Sequence, residues 1–178
     1  MNFRKIVMSV ASAAMALVAL PAVAASTCGD YGLERIQAGF RINPVPLTLG
    51  DRSSRVVGYG SYLVNAIGGC SDCHTNPPYK EGGDPFLGQP KKVNAAAYLG
   101  GGVSFGPFTS ANITPDRYGR PAGLSLREFI KLMRTGKEPG EDEILQVMPW
   151  PVYQSMTDCD LTAIYNYLQS IPRVRRAS

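Results

Sequence analysis

Apolar residues recur at helical spacing in four stretches of this 178-residue chain, and no stretch of useful length alternates as a strand would. The first, Leu33 to Phe40, is short. It leads into NPVPLTLGDRSSR, whose prolines and polar residues predict extended chain. In the second, VVGYGSYLVNAIG (Val56 to Gly68), Leu63, Val64 and Ile67 are helical neighbours that run into CSDCH. A helix should therefore end at that loop. The third, SLREFIKLMRTG, opens on a capping box of Ser125 and Glu128 and aligns Leu126, Phe129, Ile130 and Met133 on one face. Gly136 stops it, with Lys131 and Arg134 near its negative end. The fourth, MTDCDLTAIYNYLQSIP, repeats this grammar. Thr157 caps, Asp160 answers, Leu161, Ile164, Tyr165 and Leu168 form the stripe, and Pro172 ends it. Between the second and third, Thr75 to Gly123 holds too many glycines and prolines for long helices. The pattern predicts a mostly α protein, three or four helices joined by long loops. A loop this long in a compact domain is normally functional or held by something other than regular structure, such as a large buried cofactor.

The first residues add a compartment. Arg4 and Lys5 precede an apolar run from Ile6 to Leu20, then Pro21 and small residues, the layout of a secretory signal peptide cleaved near Ala24 or Ala25. The run falls short of the roughly 20 residues that span a bilayer, and no later segment is apolar enough to cross one. The expected organisation is a signal peptide over 1–25, an N-terminal extension over 26–55, one domain over 56–172 and a basic tail over 173–178. The formal charge of +4 drops to +2 without Arg4 and Lys5. So weak a surplus, with no basic cluster interleaved with aromatics, does not argue for nucleic acid.

Four cysteines remain in an oxidising compartment, Cys28, Cys70, Cys73 and Cys159, and His74 is the only histidine in the chain. In IGGCSDCHTN, Cys70, Cys73 and His74 stand at C-x-x-C-H spacing. Zinc needs four ligands, usually in two clusters, and there is no second cluster. A thioredoxin-like pair wants a strand before it and a helix after it, whereas here a helix precedes and Pro77-Pro78 follow. The spacing suits covalent attachment of haem c, each thiol adding to one vinyl group and the adjacent imidazole meeting the iron. A single histidine excludes bis-histidine ligation within one chain. Three methionines lie beyond the signal peptide. Met133 sits on an apolar helical face and reads as core. Met148, in QVMPWPVY, is held extended by Pro149 and is the first candidate for the distal position. Met156 is the alternative, or a staple at the start of the last helix.

These residues resemble a class I, monohaem c-type cytochrome. The chain is similar in particular to the cytochrome c modules found beside or within bacterial membrane-associated alcohol, aldehyde and gluconate dehydrogenase systems. The matching pieces are GYGSYLVNAIGGCSDCHT, SANITPD, SLREFIKLMRTG and MPWPVYQSMTDCDLTAIYNYLQSIP, which with their loops cover Val56 to Pro172. The resemblance implies a class I cytochrome c fold, three to four helices around one covalently bound haem c. Cys70 and Cys73 would be the thioether anchors, His74 the proximal ligand and Met148 the distal one. It also implies that the helix before the motif crosses the last helix, here through Leu63 and Ile67 against Ile164, Tyr165 and Leu168. The segment from Ser26 to Arg55 is extra to a minimal module, and Cys159 stands where a polar helix-start residue would be ordinary.

Other residues have two readings each. Cys28 and Cys159 either form one disulfide or supply a thiolate to the iron. Asn112, in SANITPDRYG, either approaches a haem propionate or builds a plain turn. Trp150 and Tyr153 pack on the haem or in the core, and Pro77 or Pro78 would offer the carbonyl that orients His74. The expected function is single-electron transfer in the periplasm, from a dehydrogenase to a cytochrome or oxidase, as a free carrier or as a subunit of a complex and without a catalytic centre of its own. The alternative is a haem c enzyme or sensor with an open or cysteine-ligated distal site, acting on peroxide, sulfur compounds or small gases.

Overall fold

The computed structural model describes residues 28–175, so the expected signal peptide and residues 176–178 of the basic tail lie outside the described residues. Helix α1 spans Leu33–Ile42 and α2 spans Ser54–Tyr62. A five-residue π turn, Leu63–Ile67, and the short α3, Cys70–His74, follow. A two-strand hairpin (β1, Ser104–Phe105; β2, Phe108–Thr109) pairs Ser104 with Thr109 and Phe105 with Phe108. Then come α4 (Leu126–Thr135), α5 (Trp150–Tyr153) and α6 (Asp158–Ser170). The fold is thus mostly helical with a minimal sheet, consistent with a cytochrome c-like α fold. Both capping boxes form. The Glu128 carboxylate accepts from Ser125 N at 2.8 Å, and the Asp160 carboxylate accepts from Thr157 N at 3.0 Å.

Helix α2 lies between α1 and α6, and glycines set how closely they approach. A Cβ placed on Gly39 of α1 would fall 1.9 Å from Gly58 O, and one on Gly60 would fall 2.0 Å from Ala163 O of α6. The helices therefore touch backbone to backbone. Val57, Leu63, Val64, Leu161, Ile164 and Leu168 fill the core around these contacts. Ile67 corrects the sequence expectation, being 58% exposed and outside the crossing with α6. The cause is the π turn, in which Gly68 N donates to Leu63 O at 2.7 Å. The extra residue per turn rotates Ile67 away from the stripe that Leu63 begins.

The N-terminal segment is bound at both ends. Helix α1 packs along α2, where Ser61 Oγ donates to Gly39 O at 2.7 Å. A disulfide joins Cys28 to Cys159, closing a separation of 131 residues. In the chain-entropy picture such a closure is worth about 5 kcal/mol. Beside it Tyr31 stacks on Tyr59 at 4.6 Å, and Tyr59 Oη donates to Asp160 at 2.8 Å.

Two polar assemblies order the long loop. Buried Tyr98 donates to Asn65 Oδ1 at 2.6 Å and meets the Tyr167 hydroxyl at 2.8 Å, while Tyr167 donates to Asn43 Oδ1 at 2.8 Å. This cluster joins the loop to the π turn, α6 and the segment after α1. Thr75 anchors the second assembly. It is fully buried, its Oγ1 accepts from Leu99 N at 3.0 Å, and it contacts Ser71 Oγ at 3.1 Å. No helix among the described residues is long and apolar enough to cross a membrane.

Candidate haem-attachment site

The site starts from a break in the helix ladder. Gly69, at φ +57, takes the left-handed conformation that ends the π turn and lets α3 restart in a new direction. One turn of α3 then carries Cys70, Cys73 and His74. Residues three apart share a helix face, so both sulfurs open on the same side. Both are free and half-buried, in a chain whose other two cysteines are bonded to each other. Burial pushes the Cys70 thiol up to about 12, with Cys73 and Asp72 adding to the rise. It raises Cys73 as well, with Asp72 contributing. At neutral pH both remain protonated thiols.

The half-buried His74 is oriented by the backbone. Its Nδ1 lies 2.8 Å from Ala111 O. A carbonyl only accepts, so the proton resides on Nδ1 and the lone pair of Nε2 is left available. Burial also pulls the imidazole pKa below its ordinary value, against a smaller opposing effect of the Ala111 bond. The ring is therefore neutral, the form that ligates a metal. The partner differs from the proline carbonyls that the sequence suggested. Pro77 O accepts from Asn94 Nδ2 at 3.1 Å and Pro78 O from Asn94 N at 3.0 Å, so both serve a different clamp. Gly101 brings the Ala111 segment in. It has φ +73, a Cβ there would lie 2.4 Å from Ala111 O, and its N–H donates to His74 O at 2.6 Å. Nothing in the sequence near the motif marks Ala111, which lies 37 positions away.

The other candidate residues lie on α5 and on the segments that flank it. Met148 is half-buried at the margin of the core, and its carbonyl accepts from Trp150 N at 2.8 Å. Met156 is similarly half-buried, while Met133 lies inside the core at 4% exposure. The Trp150 indole rests on Gly136, where a Cβ would come within 2.4 Å of it. Tyr153 is buried, and its hydroxyl donates to Gly68 O at 3.0 Å. Burial and then the two cysteines push that hydroxyl up to about 12. Helix α5 thus lies against the junction between the π turn and α3.

Asn112 is engaged with the chain itself. Its Oδ1 accepts from Thr114 N and Oγ1, at 2.9 and 2.6 Å, and its Nδ2 donates to Val174 O at 2.8 Å. It closes its own turn and holds the C-terminal segment, on the wall of an open cavity of about 570 Å³ with Asp116, Arg173 and Arg175.

The donor set fits haem c. Two free thiols stand three residues apart on one helical turn, and a neutral imidazole beside them has one nitrogen committed and the other available. With Cys28 and Cys159 bonded together, neither supplies a thiolate, which removes the cysteine-ligated alternative.

No family model matches the chain. It is similar to cytochrome c subunits of bacterial dehydrogenases, as its motif suggested. It is 33% identical over 108 residues to the cytochrome c subunit of gluconate 2-dehydrogenase from Pantoea cypripedii, covering 61% of this chain and 21% of the relative. It is 28% identical over 134 residues to the cytochrome subunit of fructose dehydrogenase from Gluconobacter japonicus, covering 73% of this chain and 24% of that subunit. Against the cytochrome c subunit of quinone alcohol dehydrogenase from Gluconacetobacter polyoxogenes it is 28% identical over 120 residues, 66% of this chain and 22% of the subunit. The chain therefore spans less than a quarter of the length of each of these relatives.

Proposed function

We propose that this protein is a periplasmic monohaem c-type cytochrome that passes single electrons from a dehydrogenase to a downstream cytochrome or oxidase. The supporting observation is the pairing of two free thiols with an imidazole whose Nδ1–H is held by Ala111 O. In this reading Cys70 and Cys73 hold the porphyrin through thioethers, and His74 Nε2 is the proximal ligand. Met148 is the distal ligand, with Met156 as its alternative. The haem supplies reversible one-electron chemistry between ferric and ferrous iron. Ala111 fixes the tautomer and plane of His74, and the Thr75 assembly holds the backbone on which the ring stands. A thioether opposite imidazole favours the ferrous state. Were His74 and Met148 both to hold the iron, the group would supply electron transfer rather than a site for substrate.

The rest of the organisation belongs to the same proposal. Residues 1–25 direct export and are removed, 56–172 form the haem domain, and 26–55 are an N-terminal extension to it. The likeness to dehydrogenase subunits supports a dehydrogenase as electron donor. The visible spectrum of the exported ferric protein tests the ligand set. Methionine ligation gives a weak sulfur-to-iron charge-transfer band, which Met148→Ala should abolish while Met156→Ala leaves it. Loss in Met156→Ala alone would move the distal ligand there. A high-spin ferric spectrum with rapid carbon monoxide binding by the reduced protein would favour the enzyme or sensor reading instead.

A further inference from the structure

We infer that Tyr153 is a positioning residue, latching the segment that carries Met148 to the junction between the π turn and α3, the helical turn that carries the two cysteines. The inference rests on the reading of Met148 as distal ligand. Helix α5 has four residues and two flanking or internal prolines, Pro149 and Pro151, and so little ability to hold itself. It is held from outside in three places. Trp150 rests on Gly136 at the end of α4. Arg134 reaches the carbonyl of Gln154 and pairs with Asp158 at 2.6 Å. Tyr153 donates to Gly68 O at 3.0 Å.

These anchors differ in what they join. The first two tie α5 to α4 and to the start of α6, on its own side of the site. Tyr153 reaches across to the break between the π turn and α3. A Cβ on Gly68 would lie 3.1 Å from Cys70 Sγ and 4.0 Å from Tyr153 Cε1, so the ring stands beside the first cysteine. Moving the Met148 segment away from the start of α3 requires breaking this half-buried hydrogen bond. An exogenous ligand that displaces the thioether must open the same latch.

Imidazole titration of the ferric holoprotein reads this directly. Tyr153→Phe keeps the ring and its packing, and it should retain the charge-transfer band. Its affinity for imidazole should rise about fivefold, the worth of one ordinary hydrogen bond. Tyr165→Phe is the control. That hydroxyl also donates to a backbone carbonyl, Leu124 O at 2.8 Å, but away from the start of α3. It should leave imidazole affinity unchanged. An unchanged affinity in Tyr153→Phe, or an equal rise in Tyr165→Phe, overturns the latch. Persistence of the band in Met148→Ala overturns it differently, by removing the ligand it would position.

Discussion

The α1–α2–α6 side and the Thr75–Gly123 loop side of this molecule reach order by opposite means. On the helical side the deciding contacts are steric. Gly39 and Gly60 let backbones touch, and apolar side chains fill what remains. On the loop side regular structure is nearly absent, and direction comes from polar groups. Thr75 takes Leu99 N, Asn76 Nδ2 donates to Gly102 O at 2.6 Å, Asn94 clamps Pro77 and Pro78, and His74 binds Ala111. Among the described residues no buried side-chain nitrogen or oxygen lacks a partner. The contrast shows how a glycine-rich loop forms a defined wall without a large core of its own. Each turn hands its polar groups to the next, and the imidazole is bonded to one of them through Ala111 O.

The comparison can be broken by substitutions of matched size. Gly60→Ala should be the most damaging, because its Cβ meets the Ala163 backbone rather than a movable side chain. A loss of about 3 kcal/mol is expected from overpacking. Gly106→Ala, in the open hairpin turn at φ +62, should lose only about 1 kcal/mol through left-handed strain. Chemical denaturation measures both, and equal losses would show that helix contact distance is not what governs the helical side.

Thr75→Val comes next and probes the loop side. It keeps shape but strands the buried Leu99 N–H, a loss of about 2 kcal/mol. Hydrogen exchange should quicken at Leu99 and Gly101 while α2 and α6 stay protected. Uniform exchange across all three would mean that the two sides open together.

The smallest effect appears only in alkali. Burial and then the bond to Asp160 push Tyr59 up to about 12. Below pH 10 folded and unfolded chains both keep that proton. Between about 10 and 12 only the unfolded chain loses it, so stability falls across that window. Other raised tyrosines, Tyr98 and Tyr167 among them, add to the fall. Tyr59→Phe should make the decline of the denaturation midpoint shallower in that window. An unchanged slope would mean that the stacked Tyr31–Tyr59 corner is already solvated.

Much of the helical frame was legible because its signals are local. Ser125 with Glu128 and Thr157 with Asp160 declare helix starts within four residues, and Cys70, Cys73 and His74 lie within one turn. The crossing with α6 was misread at Ile67 because a π turn changes the periodicity that the stripe assumes. The imidazole partner was misread for a related reason. Pro77 and Pro78 are near in sequence, but Asn94 occupies both carbonyls, and Gly101 delivers Ala111 instead.

The sequence by itself determined the four main helices, the spacing of two thiols and an imidazole, and the presence of a single histidine. These depend on the order of residues over a few positions, where helix geometry leaves little choice. Only the tertiary structure decided that Cys28 meets Cys159, that Ala111 orients His74, that Tyr98 joins Tyr167, and that Tyr153 reaches Gly68. Those contacts pair residues tens of positions apart. They depend on how closely glycines let the backbone approach and on which polar group arrives first at a buried carbonyl, neither of which a linear pattern contains.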